Sequence, residues 1–192
     1  MAVLPIRIFG DPVLRERAAE VTRFDDALAQ LGQDLLDTLR SAAGAAIAGN
    51  QVGVLKRLFA FELRGTGEGE EHGDAQDVDR GVYVNPEILE TSEEIQEGEE
   101  GCLSFPGLFF PTERPLRARI KAYDVRGREL ERTGEGLVAR MFLHEIDHLN
   151  GVLFIDHLAR HDRKEAMRRI RAGELEDPGA AARAAASDRP AV

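Results

Sequence analysis

The sequence contains a single cysteine, Cys102, among its 192 residues. One cysteine excludes an internal disulfide, so in a reducing compartment Cys102 would persist as a thiol, a thiolate or a metal ligand. The N-terminus, MAVLPIRIFGDP, lacks a cationic segment followed by an apolar stretch. No apolar run approaches the ~20 residues that a transmembrane helix requires. These absences predict a soluble, cytoplasmic protein with no membrane partner.

Basic residues are also fewer than acidic residues. Lysine and arginine total 25 against 35 aspartates and glutamates, which gives a net charge of −10. This balance excludes a protein whose whole surface binds nucleic acid, so we expect no DNA partner and only local contact with any RNA.

The length and the apolar content of 43% are those of an ordinary globular protein that can bury one core. The chain shows no internal repeat and no second core. We therefore expect a single catalytic domain over residues 1–172. The last stretch, 173–192, is rich in alanine and contains two prolines, and it is predicted to be a disordered tail.

Three helices are predicted from the spacing of apolar residues. Residues 24–40 place leucines at alternating steps of three and four behind Asp25 and Asp26, which is typical of an amphipathic helix with acids at its positive end. Residues 136–150 form a second, central helix that stops at an Asn-Gly pair. A third helix over 160–171 carries six basic residues against two acidic ones.

Strands are predicted where apolar residues cluster or alternate, at 58–63, 82–84 and 117–124. Between the first two, residues 64–80 are acidic and rich in glycine, with almost nothing to bury, and we predict a mobile surface loop. The expected class is α+β, with small, mainly antiparallel sheets packed around the central helix and with N- and C-terminal helices.

The strongest chemical signal lies in the central helix, which reads FLHEIDHL. His144 and His148 are four residues apart, so both imidazoles lie on one helix face and can share a divalent cation. Glu145 is offset by one residue, which keeps it out of the first coordination shell but within reach of a water at the metal. An exposed helix that merely carries polar residues is disfavoured, because the flanking residues are apolar.

A catalytic metal site needs a third protein ligand and an open position. Cys102 is the candidate, since it lies in EEGCLSFPG, where Gly101 allows close backbone approach and a Pro-Gly pair marks a turn. A lone cysteine is usually a small buried hydrophobe. Beside two histidines, a ligand role is favoured.

These motifs resemble those of peptide deformylases, which carry a glycine-rich stretch ending in glutamine, then EGCLS, then HExDH on a helix. This chain has GAAIAGNQVG at 44–53, EGCLS at 100–104 and HEIDH at 144–148. The likeness covers most of residues 4–158, including GDPVLRERA near the start. It implies a metal-dependent hydrolase that removes the N-formyl group from formyl-methionyl nascent peptides and releases formate.

The resemblance also implies roles for individual residues. The metal would be Fe(II) in the cell, replaceable by Zn, Ni or Co, on Cys102, His144 and His148. Glu145 would act as general base and then general acid, while the Gln51 side-chain amide and the Leu103 backbone N–H would form an oxyanion hole. The substrate would lie against Ala45, Ala46, Ile47, Gly101, Leu137, Arg140 and Met141.

Arg140 allows two interpretations, because it lies one helical turn before His144 on the face of the predicted ligands. It either bends away to pair with a nearby acid such as Glu99 or Glu100, which keeps the substrate pocket apolar, or it faces the pocket. In the second case the preferred substrate would be an acidic or otherwise unusual N-formylated molecule.

Three further hypotheses remain open. An HExxH metalloprotease would take its third ligand downstream of the helix, where His157 and His161 are available, although the upstream EGCLS disfavours this. A non-enzyme would keep its metal structurally, and loss of Glu145 or Gln51 would be its signature, but both are present. Finally, the basic helix at 160–171 is a candidate for docking on rRNA phosphates at the ribosome surface.

Overall fold

The computed structural model describes residues 2–64 and 78–175. Within these ranges the helices are α1 (Asp26–Ser41), α2 (Leu137–Leu149) and α3 (Arg160–Arg171). The strands are β1 (Ala46–Ala48), β2 (Leu58–Arg64), β3 (Val78–Thr91), β4 (Ile95–Gly101), β5 (Phe109–Pro115), β6 (Arg117–Tyr123) and β7 (Glu129–Glu135). None of the described helices is long and apolar enough to cross a membrane.

The strands form two antiparallel sheets. One has five strands in the order β1-β2-β3-β6-β7, and the other is the hairpin β4-β5. Helix α2 packs against the five-stranded sheet through a cluster of buried aromatic and aliphatic side chains that includes Phe59, Tyr83, Ile120, Phe142 and Ile146. The predicted α+β class, with small sheets around a central helix, is therefore confirmed.

Helix α1 covers the opposite face of the same sheet. The Asp25 carboxylate accepts a hydrogen bond from the backbone N–H of Leu28 at 3.0 Å and caps the helix. The apolar stripe predicted from the sequence is buried, because Leu28, Leu35 and Leu39 are fully enclosed and pack with Ile47 of β1.

The N-terminal segment forms backbone hydrogen bonds to all three motif segments. The N–H of Arg7 donates to the carbonyl oxygen of Gln51 at 2.7 Å, and that of Phe9 donates to Ser104 at 2.8 Å. The N–H of Ala18 donates to the last carbonyl of α2, that of Leu149, at 2.9 Å. One extended segment thereby ties the glycine-rich stretch, the cysteine segment and the central helix together.

Helix α2 ends where the Asn-Gly pair predicts. Asn150 closes the last turn and Gly151 adopts a φ of 75°, a conformation that glycine reaches without strain. A Cβ atom at Gly151 would also lie only 2.4 Å from the backbone oxygen of Arg15. The glycine therefore serves both the helix end and the close approach of the N-terminal segment.

Several strands differ from the sequence-based predictions. The strand predicted at 82–84 is the middle of the longer β3, and β1, β4, β5 and β7 were not predicted. In the segment 64–80, predicted as a loop, Arg64 and residues 78–80 belong to β2 and β3. Residues 65–77 of that segment, and residues 176–192 of the predicted tail, lie outside the described residues.

Two of the missed strands, β4 and β7, carry few apolar residues. Strand β4 reads IQEGEEG, and the one fully buried member of its inner face is a glutamate, Glu100. Strand β7 reads ELERTGE and forms an exposed edge of the larger sheet. Neither has the apolar alternation from which strands are predicted. Each is held by backbone pairing with a neighbouring strand, β5 or β6.

Replacement of Phe59 by alanine is expected to lower the free energy of unfolding by roughly 3–5 kcal/mol. The Phe59 side chain is fully buried and packs edge to face against Tyr83 with ring centroids 5.4 Å apart, so its removal leaves a cavity. Urea denaturation measures the loss. Val3→Ala, at a position that is 63% exposed, is the control, and a similar loss in both variants would contradict the described core.

Candidate metal centre and active site

The fold brings together the three residues predicted as metal ligands. Helix α2 presents His144 and His148 on one face, and Cys102 follows directly after β4. The Cys102 Sγ lies 3.1 Å from Nε2 of His148. One ligand atom from each of the three residues lies within 4.8 Å of the others.

This arrangement suits a small divalent cation. A sulfur and two imidazole nitrogens at their usual bond lengths of about 2.1–2.3 Å from an ion lie roughly 3.5 Å apart, close to the spacing found here. Nδ1 of His148 is buried without a hydrogen-bond partner among the described residues. Burial, followed by the charge of His144, lowers the pKa of His148 well below its ordinary value, which favours the neutral imidazole that binds metals.

A buried glutamate orients the second histidine. The Glu100 Oε1 is 2.7 Å from Nδ1 of His144, which leaves Nε2 of that ring for the metal. Arg114 binds both carboxylate oxygens of Glu100, at 2.6 and 3.0 Å. Burial would raise the pKa of Glu100, but the hydrogen bonds from His144 and Arg114 outweigh it and hold the pKa well below its usual range.

Asp147, the remaining acid of HEIDH, faces away from the ligand cluster. Its Oδ2 lies 2.6 Å from Nη1 of Arg114 and 2.8 Å from Nε2 of His157. Burial would raise the pKa of Asp147, but the hydrogen bond to His157 and the charge of Arg114 lower it. His157 is therefore engaged with Asp147, and His161 pairs with Asp162 at 3.1 Å, so neither is placed to serve as the downstream ligand of a metalloprotease.

Gln51 lies beside the cysteine. It belongs to a short 3-10 turn, Gly49–Val52, and its Oε1 accepts from the Ala48 N–H at 2.8 Å. This bond fixes the amide so that Nε2 lies 3.4 Å from the Cys102 Sγ and 3.2 Å from the Ser104 Oγ. The N–H of Leu103 donates to no other group in the part of the chain that the structure describes. Two donors thus lie next to the ligand cluster.

Glu145 is 3% exposed, and its Oε2 has no hydrogen-bond partner among the described residues. Burial in this apolar stretch of α2 raises the pKa of Glu145 to about 7. A carboxyl group with such a pKa both accepts and donates a proton near neutral pH, as a general base that later acts as an acid requires.

These groups open onto a cavity of about 500 Å³. Most of the predicted substrate-binding residues line it: Ala45, Ala46, Gly101, Leu137, Arg140 and Met141. The wall also includes Phe109, which the sequence analysis missed because nothing in the sequence distinguishes an exposed phenylalanine from a core one. A larger cleft of about 670 Å³ lies between α1 and strands of the five-stranded sheet, but it contains none of the three ligands.

Ile47, the remaining residue predicted to contact the substrate, has its side chain away from this cavity. Residues of a strand alternate between faces, and Ile47 lies on the opposite side of β1 from Ala46. The side chain is fully buried and packs with Leu35 and Leu39 beneath α1.

For Arg140, the pairing interpretation holds. Its Nη1 donates to Oε2 of Glu100 at 3.0 Å and to the backbone oxygen of Thr112 at 2.9 Å. The side chain is 8% exposed and forms part of the cavity wall. The charge is therefore compensated by Glu100, although part of Arg140 still lines the cavity.

Comparison with known proteins identifies the family. The model of the polypeptide deformylase family matches residues 3–164. The chain belongs to the polypeptide deformylase family. A peptide deformylase of Acidothermus cellulolyticus is 46% identical over 174 residues, which cover 91% of this chain and 89% of that protein.

Solved deformylase structures share the fold. The crystal structure of a peptide deformylase from Legionella pneumophila matches with a TM-score of 0.77 and 38% identity, covering 90% of this chain and 96% of the other. That from Thermotoga maritima matches with a TM-score of 0.74 and 41% identity, covering 83% and 99%. The family resemblance inferred from the motifs is confirmed, and this deformylase-family chain is an enzyme.

In metal-free protein, Glu145 is expected to make stability fall as the pH rises. The folded protein keeps a proton up to about pH 7 that the unfolded chain, with an ordinary pKa of 4.5, releases earlier. Between these values the folded state binds more protons, so the free energy of unfolding decreases, by roughly 3 kcal/mol for the whole shift.

Urea denaturation of metal-free wild type and Glu145→Gln, at about pH 5 and about pH 8, measures this effect. The variant should gain stability relative to wild type at the higher pH. Glu113→Gln, which changes an exposed carboxylate on β5, is the control. The same difference between wild type and Glu145→Gln at both pH values would contradict the raised pKa.

Proposed function

We propose that this chain removes the N-formyl group from formyl-methionyl nascent peptides, with formate as the second product. Metal-dependent removal of a formyl group is what the deformylase family does. The observation that carries the proposal is the position of Glu145: a buried carboxyl group with a pKa of about 7 opens onto the same cavity as Cys102, His144 and Gln51.

Cys102, His144 and His148 would hold the metal. When bound, the ion supplies a Lewis acid that activates water and polarises the formyl carbonyl. We propose Fe(II) in the cell, with Zn, Ni or Co as substitutes. The support for iron is the family resemblance, since a donor set of one sulfur and two nitrogens suits several first-row ions.

Glu145 would carry out both proton transfers. Its carboxylate takes a proton from the water that attacks the formyl carbon, and its carboxylic acid then gives that proton to the leaving amine. The burial that raises its pKa makes the two roles compatible within one cycle, because a group with a pKa near the working pH accepts and donates with similar ease.

The negative charge that develops on the formyl oxygen would be met by two donors. One is the Gln51 side-chain amide, held by its bond to Ala48, and the other is the Leu103 backbone N–H. Both are fixed before the substrate arrives, and each donor of this kind stabilises the oxyanion by roughly 3 kcal/mol. Because Gln51 is 1% exposed, it acts in surroundings with little competing water.

The first side chain of the substrate would enter the cavity beside Ala46, Leu137 and Met141, whose apolar surfaces suit methionine. The charge of Arg140 does not oppose this, because Glu100 neutralises it. The structure therefore gives no support to an acidic substrate. The deformylase-like alternative that acts on another N-formylated molecule is distinguished by the substrate comparison below.

Replacement of Glu145 by glutamine is expected to lower kcat for formate release from a formyl-methionyl peptide by at least 100-fold, while the metal content is retained. The amide keeps the shape of the side chain but cannot accept the proton. The measurement is formate release by anaerobically purified protein loaded with Fe(II), with Glu113→Gln as the control. A variant with nearly full activity would contradict the role of Glu145.

The same Fe(II)-loaded protein tests which formylated substrate is preferred. Wild type should release formate from a formyl-methionyl peptide in preference to a formyl-glutamyl peptide, because the cavity wall is apolar and Arg140 is already paired. Preference for the acidic peptide would favour the alternative substrate, and cleavage of internal peptide bonds without formate would favour the metalloprotease.

We further propose that the enzyme works in the cytoplasm at the ribosome surface, where helix α3 contacts rRNA phosphates. Three of its six basic residues form ion pairs with nearby carboxylates. These are Arg163, Arg168 and Arg169, which pair with Asp156, Glu165 or Glu174. The other three, Arg160, Lys164 and Arg171, form no ion pair within the described residues and supply the positive charge for docking.

Reversal of these three charges, by replacement of Arg160, Lys164 and Arg171 with glutamate, should abolish cosedimentation with ribosomes at low salt. Wild-type binding should weaken as salt rises, because phosphate contacts release counterions. Formate release from a short peptide is the control and should not change. Binding that survives either the charge reversal or high salt would contradict docking through α3.

A further inference from the structure

Arg140 is a buried, charged residue of α2, and it contacts both strands of the β4-β5 hairpin. Its Nη1 binds Glu100 of β4 and the backbone oxygen of Thr112 of β5. A buried guanidinium is costly unless acceptors pair with it, as these two do with Nη1. One side chain therefore fixes the distance between the hairpin and the helix that carries the metal-binding histidines.

The guanidinium of Arg140 lies against Gly98, whose missing side chain leaves space for it. Residues two apart in a strand share a face, so Gly98 and Glu100 both face the helix. A Cβ atom at position 98 would lie 3.1 Å from Nη2 of Arg140, nearer than ordinary van der Waals contact. That Nη2 is buried and has no hydrogen-bond partner among the described residues. A side chain at 98 and the guanidinium of 140 would thus compete for the same space.

Glu100 connects this pair to the metal centre. Its Oε2 accepts from Arg140, and its Oε1 is 2.7 Å from Nδ1 of His144. Metal-binding histidines are oriented by the group bonded to their second nitrogen. Arg114 holds the same carboxylate from β5, whereas Arg140 holds it from α2, one turn from His144. A shift of Arg140 would move Glu100 relative to the ring that it orients.

We propose that Gly98 and Arg140 act as a pair that positions His144 for the metal through Glu100. Arg140 is a positioning residue, and Gly98 is the small residue that admits its guanidinium beneath β4. The inference rests on the proposed function only in taking His144 as a metal ligand. It implies that positions 98 and 140 are coupled: a larger residue at 98 harms the site only while arginine occupies 140.

The test is a double-mutant cycle on metal affinity. Wild type, Gly98→Val, Arg140→Leu and the double variant are stripped of metal, and their Zn(II) affinity is measured by competition with a chelator. Arg140→Leu should weaken binding about 10-fold or more, the usual effect of losing an outer-shell partner. Gly98→Val should weaken binding in wild type but have no further effect beside Arg140→Leu, because the valine then fills vacated space.

The visible absorption of the Co(II)-loaded proteins gives a second readout, because it reports the geometry of the ligands. Both single variants should alter this spectrum. Arg57→Leu is the matched control: Arg57 is also buried, but it binds Pro86, Asn150 and the backbone oxygen of Leu149 rather than Glu100, so this variant should lose stability while its Zn(II) affinity and Co(II) spectrum stay unchanged.

Losses that simply add in the double variant would overturn the pairing. So would an Arg140→Leu protein with a lower melting temperature but unaltered metal affinity and spectrum, or an Arg57→Leu protein with an equal loss of affinity. Failure of the proposed function is separate, since it would appear as metal-loaded wild type that releases no formate, whatever the outcome of the metal measurements.

Discussion

The carboxylate of Glu100 is the interaction on which the rest of the site depends. It is 4% exposed, and it accepts hydrogen bonds from Arg114 of β5 and Arg140 of α2 while it binds Nδ1 of His144. A charge so far from water is stable because these three side chains pair with it. The hairpin therefore cannot shift against α2 without leaving a charge unpaired.

This constraint explains how a short polar hairpin can hold a metal ligand. Strand β4 has little apolar surface of its own, yet Cys102 follows it directly and must stay near His148. The side chains that anchor β4 are charged, whereas the side chains that anchor α2 against the larger sheet are aromatic. Ionic contacts set the ligand geometry on one side of the helix, and apolar packing supports it on the other.

The parts of this structure that were predictable from the sequence are those with a local cause. The spacing of His144 and His148 within an apolar helix, the acids at the start of α1 and the Asn-Gly stop all act within a few residues. Strands β4 and β7 were not predictable because they lack apolar alternation, although each pairs with a neighbouring strand. The pairing of Glu100 with Arg140 spans 40 residues, and the sequence allowed it only as one of two interpretations.

The placement of the Ile47 side chain also depends on more than the local sequence. A resemblance assigns a stretch of residues to a cavity, but the alternation of a three-residue strand decides which side chains face it. Phe109 was not predicted to line the cavity, yet it does, because the pairing of β4 with β5 places it there. Both outcomes depend on register, and only the folded sheets define register.

The N-terminal segment described with the fold has a consequence for the order of events in the cell. It is synthesised well before helix α2, yet it bonds to the end of that helix, and Arg15 pairs with Asp156, 141 residues later. Contacts of such separation close a long stretch of chain and therefore form slowly. The clasp that this segment makes around the three motifs thus depends on residues that are made long after the segment itself.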